Sequence, residues 1–93
     1  MNILHLEDSA IDAELIQAEL RTAWPDAKIS VITTKTGFET AVLRGDFDLI
    51  LSDYTLPGYD GITALAFARK HAPEKPFIYL SGTIGEERAI EAL

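Results

Sequence analysis

The chain has 93 residues, 47% of them hydrophobic and 25% charged, the balance of one globular domain rather than a disordered segment. Eight Lys and Arg against fifteen Asp and Glu give a formal net charge of −7, which excludes a direct nucleic-acid groove built on clustered basic residues. With no cysteine, disulfides, thiolate metal sites and thiol nucleophiles are excluded as well.

Short apolar runs alternate with longer segments of helical period. Ile3-Leu4-His5-Leu6 is a strand-like run cut off by Glu7-Asp8. Ser9 suits an N-cap with Asp12 three residues on, and Ile11, Leu15, Ile16 and Leu20 form the apolar stripe of a first helix. Trp24-Pro25-Asp26 ends it, because proline pushes its predecessor out of the helical region. Residues 28–33 alternate around Ile29 and Val31 and read as a second strand. Thr36-Gly37-Phe38-Glu39 reads as a capping box and Gly45 as the stop of a second helix. Leu49-Ile50-Leu51 is a third strand with Asp53 just past its end, and residues 56–61 are turn chemistry in which Pro57, Gly58 and Gly61 shape the backbone, Gly58 with positive φ. A third helix runs through Leu65, Ala66 and Phe67 to the basic end Arg69-Lys70-His71 and stops before Pro73. Phe77-Ile78-Tyr79-Leu80 is a fourth strand, and Thr83-Ile84-Gly85-Glu86 caps a fourth helix that continues to Leu93. His5, Trp24 and Tyr79 are read as packing residues. No apolar run approaches a membrane span, and the start lacks the basic region of a signal peptide, so a soluble cytoplasmic protein is expected.

Strands joined by helices of this length cannot pair as hairpins, so the order predicts an α/β fold with a parallel sheet covered on both faces. Ligands of such sheets bind beyond the carboxyl ends of the strands. Strand one delivers Glu7 and Asp8 there, strand three Asp53, and strand four Ser81 and Gly82. Three carboxylates gathered at one edge would repel and raise each other's pKa. A hard divalent cation with oxygen ligands resolves that conflict, so Mg2+ (or Mn2+) is expected. The plainer reading is that Glu7 and Asp8 favour the positive end of the following helix; it explains that pair but not the coincidence of three strand ends.

Leu6-Glu7-Asp8-Ser9, the segment from Leu51 to Gly61 and Tyr79-Leu80-Ser81-Gly82 resemble the motifs of response-regulator receiver domains, and the resemblance runs in order through the whole chain. It implies a flavodoxin-like, doubly wound sheet with strands one to four in the order 2-1-3-4, and phosphoryl transfer from the phosphohistidine of a sensor histidine kinase or phosphotransfer protein. It further implies that Asp53 is the phosphoacceptor, that Asp8 and Asp53 ligate the metal directly, and that Glu7 holds a metal-bound water. The backbone carbonyl of Thr55 would complete the protein ligands. Ser81 would be the switch hydroxyl and the Gly82 N–H would meet the phosphoryl group. Such a module is not an enzyme in the usual sense; it assists its own phosphorylation and dephosphorylation.

The family pattern continues with a fifth strand bearing a Lys and a fifth helix, whereas Lys70 and Lys75 lie away from the strand ends. Residues 1–93 are therefore expected to be a single, incomplete receiver-like domain. Strand four would then be an open edge, and self-association through it or through an uncovered sheet face is expected. Two other functions compete. A receiver-fold interaction module without phosphorylation would need none of the acidic residues. A hydrolase of the haloacid dehalogenase type would want an acidic residue where Thr55 stands.

Overall fold

The computed structural model describes residues 1–53, 61–81 and 88–91. In chain order these form β1 (Asn2–Leu6), α1 (Ala10–Ala23), β2 (Lys28–Ile32), α2 (Lys35–Arg44), β3 (Leu49–Asp53), α3 (Gly61–His71), β4 (Phe77–Ser81) and β5 (Arg88–Glu91). The sheet order is β2-β1-β3-β4-β5. The first four strands are parallel and in the expected order; β5 runs antiparallel to β4.

The alternation of side chains across the pleat builds two faces from these registers. Leu4 lies opposite Ile50 and Ile50 opposite Phe77, while Leu6, Ser52 and Tyr79 form the next such row. These rows, apart from Ser52, join Phe38 and Val42 of α2, Phe47, and Ala64 and Ala68 of α3 in one apolar core. The small alanines let α3 lie close to the sheet, while Phe38 reaches Phe67 with ring centroids 6.4 Å apart. Ile3, His5 and Leu51 are buried in the alternate rows. Stepping from β1 outward to β2 and then back across to β3 and β4 places α1 on the face opposite α2 and α3, given right-handed crossovers. Hence Ile3, Leu4, His5 and Leu6 of β1 are all buried, as in a strand covered on both sides.

Local chemistry sets the helix ends. The Ser9 hydroxyl accepts from the Asp12 N–H at 3.3 Å, as its position before the helix anticipates. The Trp24 N–H closes α1 on the Leu20 carbonyl at 2.7 Å just before Pro25. Gly45 ends α2 with φ 73, the left-handed conformation that glycine adopts without steric cost.

Four expectations are corrected. The N-cap of α2 is Thr34, whose hydroxyl accepts from the Gly37 N–H at 3.0 Å, rather than Thr36. Two threonines two residues apart offer the same chemistry, and the strand that precedes them decides which one caps. In α1, Ile11 and Leu15 of the expected stripe are exposed, whereas Ile16 and Leu20 of that stripe are partly buried and Ala13 completes the inward face, at a spacing of three and four. Trp24 is 48% exposed rather than packed, because it is the C-cap and projects beyond the last turn; Tyr79 is buried as expected. Residues 88–91 form a strand where a helix was expected, so β4 is not an open edge here: on the side away from β3 it pairs with β5.

His5 of β1 has no exposed surface, and neither ring nitrogen has a hydrogen-bond partner among the described residues. Burial lowers its pKa from 6.5 to about 4, because the charged imidazolium would be desolvated. Between those values the unfolded chain binds a proton that the folded chain refuses. The neutral-His5 contribution is therefore complete above about pH 6.5 and is lost as pH falls toward 4, by about 3 kcal/mol in all. Urea unfolding at pH 7 and pH 4.5 should show a steeper acid loss for the parent chain than for His5→Leu. Parallel pH profiles for the two would remove His5 as the cause.

Candidate functional site at the carboxyl ends of the strands

Parallel pairing brings the carboxyl ends of β1, β3 and β4 to one edge of the sheet. Leu6 lies opposite Ser52, so Glu7 continues β1 at the level of Asp53. Asp53, the last residue of β3 rather than the first beyond it, lies opposite Leu80, and Ser81 is the next residue of β4. The registers are secured at the other end of the sheet. The Asn2 N–H donates to Asp48 Oδ2 at 2.7 Å and the Asp48 N–H to the Asn2 carbonyl at 2.7 Å. The Ile50 N–H likewise donates to the Pro76 carbonyl at 3.0 Å. These bonds fix which residues emerge together at the functional edge.

The two acidic residues after β1 differ in environment. Glu7 is still bonded into the sheet, its N–H donating to the Ile32 carbonyl at 3.0 Å, and it is buried with 6% of its surface exposed. Its carboxylate accepts from the Ser9 N–H at 3.1 Å, at the N-terminus of α1. The helix-end role considered for this pair is thus present for Glu7, where the N–H groups and helix dipole favour negative charge. Asp8 lies in the bend between β1 and α1 and is exposed. One residue separates a carboxylate held by the fold from one open to solvent, a distinction that two adjacent acidic letters do not carry.

For Asp53 and Ser81 the structure defines the strand position. Thr55, Pro57, Gly58, Gly82 and the Thr83–Glu86 box lie outside the described residues; Gly61 is the first residue of α3. Among the described residues no group of three or more His, Asp or Glu is clustered tightly enough to hold a metal ion. The strand ends do supply oxygen donors of the hard type that Mg2+ takes, one exposed at Asp8 and one at the level of Asp53, so the donor chemistry fits that cation. His5, two residues before Glu7, is a buried titratable group that the residue types alone mark only as a core histidine. What distinguishes it, ring nitrogens without a hydrogen-bond partner among the described residues, is a property of the packed rows around it.

No family profile matches the chain. Among characterised proteins it is 32% identical over 95 residues to the cell cycle response regulator CtrA of Brucella ovis, a match that covers all of this chain and 39% of that protein. It is 27% identical over 92 residues to the transcription factor SKN7 of Saccharomyces cerevisiae, covering 99% of this chain and 14% of that one. The chain thus spans well under half the length of these relatives. Among solved structures, the receiver domain of the sensor histidine kinase PA1611 from Pseudomonas aeruginosa PAO1, which holds a magnesium ion in its active site cleft, superposes with a TM-score of 0.76 at 25% identity, covering 91% of this chain and 70% of that one. The receiver domain of the hybrid histidine kinase CckA gives 0.68 at 26% identity, covering 85% and 73%.

Proposed function

We propose, for a chain that is by fold and sequence a receiver domain of the response-regulator type, that Asp53 accepts a phosphoryl group from a phosphohistidine and that Glu7, Asp8 and Ser81 serve that transfer. The observation that carries the reading is the register: β1, β3 and β4 end together, with Glu7 at the level of Asp53 and Ser81 one residue past its partner. Asp53 attacks phosphorus through a carboxylate oxygen, and the bond from phosphorus to the donor imidazole nitrogen breaks. A bound Mg2+ would supply charge neutralisation to the phosphoryl oxygens, as one does in the clefts of metal-dependent phosphotransfer sites. Asp8 and Asp53 would hold it directly with the Thr55 carbonyl, and Glu7 through water. Burial and the Ser9 N–H keep Glu7 in one orientation, which suits a residue that positions rather than reacts. The Ser81 hydroxyl and the Gly82 N–H would donate to phosphoryl oxygens once Asp53 is modified.

The kinase or phosphotransfer protein, the switching of partner interactions that follows and a cytoplasmic location belong to the same reading. Sequence similarity to response regulators supports it, and among the described residues no helix is long and apolar enough to cross a membrane.

Mg2+ titration in the presence and absence of beryllofluoride, followed by amide NMR, tests it. Beryllofluoride should perturb residues 7–9, 52–53 and 80–82 only when Mg2+ is present. Asp8→Asn should weaken Mg2+ binding by on the order of tenfold or more, since a direct carboxylate ligand is lost. Asp12→Asn, a residue within α1, should change it by less than about twofold. Equal effects of the two substitutions would remove the metal assignment, and an unmodified chain that gives no response to beryllofluoride would favour an interaction module that is not phosphorylated.

A further inference from the structure

β2 forms one outer edge of the sheet, with β1 as its one strand neighbour among the described residues. Hydrogen bonds fix which of its backbone groups face outward. The Lys28 N–H donates to the Met1 carbonyl at 2.8 Å, and the Glu7 N–H donates to the Ile32 carbonyl at 3.0 Å. Lys28 and Ile32 therefore face β1, and Ser30 with them, because bonding direction alternates along a strand. The N–H and carbonyl groups of Ile29 and Val31 point the other way, past the edge. Little on this edge keeps another strand away. It contains no proline, its register with β1 is continuous over five residues, and Lys28 at its first position is its one charge. Val31 is 37% exposed and Ile29 half-buried, and both share the face of Ile3 and His5, the face that carries α1.

We propose that this edge pairs antiparallel with β2 of a second copy of the chain, about a two-fold axis at Ser30. The outward groups select that occupant. Ile29 and Val31 lie symmetrically about Ser30, so in an antiparallel pair Ile29 of each copy faces Val31 of the other and the two exchange both of their hydrogen bonds. The axis generates a second such pair, and Ser30 meets its own counterpart between them without bonding to it. Side chains agree with that register, since the β-branched Ile29 and Val31 meet across the junction and cover the exposed part of Val31. Charge agrees as well. Two chains of formal net charge −7 repel, but residues 28–32 contain no acid. Antiparallel pairing brings Asp26, before β2, to the end at which the second copy's Lys35 follows β2, and symmetry repeats this match of opposite charges. A parallel pair would instead set like charge beside like at both ends. Because the two β2 strands run oppositely, the Asp53 positions fall at opposite edges of the joined sheet, each two strands from the junction. Two five-residue strands bury less than the roughly 1,200–2,000 Å² of a standard stable interface, so the association is transient, in the high-micromolar to millimolar range.

NMR of the 93-residue chain at concentrations from about 0.02 to 2 mM tests the inference. Exchange of the Ile29 and Val31 amides should slow by about two- to threefold at the high end, while Ser30, bonded to β1 in both states, stays unchanged. In a mixture of isotope-labelled and unlabelled chains, a filtered NOE between the Ser30 Hα atoms of two copies identifies the antiparallel pair, whose Cα atoms lie about 4.5 Å apart. That contact is read on the parent chain, so the outcome does not depend on the folding of a variant. Val31→Pro removes an outward N–H without touching a bond to β1 and should weaken association by about tenfold or more, as should Val31→Lys. Ile11→Lys on the exposed side of α1 and Leu43→Lys on α2 should leave it within about twofold. A chain that stays monomeric throughout this range would overturn the proposal. So would a dimer without the Ser30 contact, association that survives Val31→Pro, or association lost with Ile11→Lys or Leu43→Lys.

Discussion

Asp53→Asn is expected to abolish phosphoryl labelling of the chain, by on the order of a hundredfold or more, because the amide lacks the nucleophilic oxygen anion that forms the new bond. Labelling with a small acyl phosphate donor or a kinase, in the presence of Mg2+, measures it. The label on the parent chain should be sensitive to alkali and to hydroxylamine, as a mixed carboxylic-phosphoric anhydride is. Asp46→Asn is the informative control: Asp46 is an exposed acid that pairs with Arg44 at 3.7 Å ahead of β3 and should leave labelling within about twofold of the parent. Labelling that survives Asp53→Asn would place the acceptor elsewhere and would end the proposed role of the strand-end cluster.

Phe38→Ala is expected to cost about 3–5 kcal/mol of folding stability, enough to unfold much of the chain at 25 °C. Phe38 is fully buried between α2 and the sheet, in one apolar core with Leu4, Leu6, Val42, Phe47 and Ile50. A domain of this size holds a margin toward the lower end of about 5–15 kcal/mol. Trp24→Ala removes a larger side chain from an exposed helix end and should cost less than about 1 kcal/mol. Equilibrium urea unfolding decides between them. Equal losses would mean that exposure in the structure does not report where stability resides. The contrast also separates size from burial, since the two aromatics rank oppositely in volume and in expected effect.

These expectations rest on features of unequal legibility. The four parallel strands and the helices between them could be read from the chain because each rests on local physics: apolar runs short enough for strands, a Ser9 cap whose hydroxyl meets the Asp12 N–H, and Gly45 with its positive φ. The candidate site was legible for the same reason. Residues that follow parallel strands must emerge at one edge, so the carboxyl-end positions of Glu7, Asp53 and Ser81 follow from connectivity before any contact is known.

What only the tertiary structure decided are choices between local options of nearly equal energy. Thr34 and Thr36 are chemically alike as caps, and the end of β2 selects the first. Ile11 and Leu15 look like core residues by type, but packing leaves them exposed and buries Ala13, while Ile16 and Leu20 of the same expected stripe are partly buried. Glu7 and Asp8 are adjacent acids until a sheet hydrogen bond from Glu7 to Ile32 buries one and leaves the other in solvent. Residues 88–91 read as part of a helix by their local sequence, and antiparallel pairing with the preceding strand β4 makes them a strand. In each case propensity and pattern determine what a segment can do, and the energy of its contacts with other elements, comparable to those small local differences, determines which of its possibilities is realised.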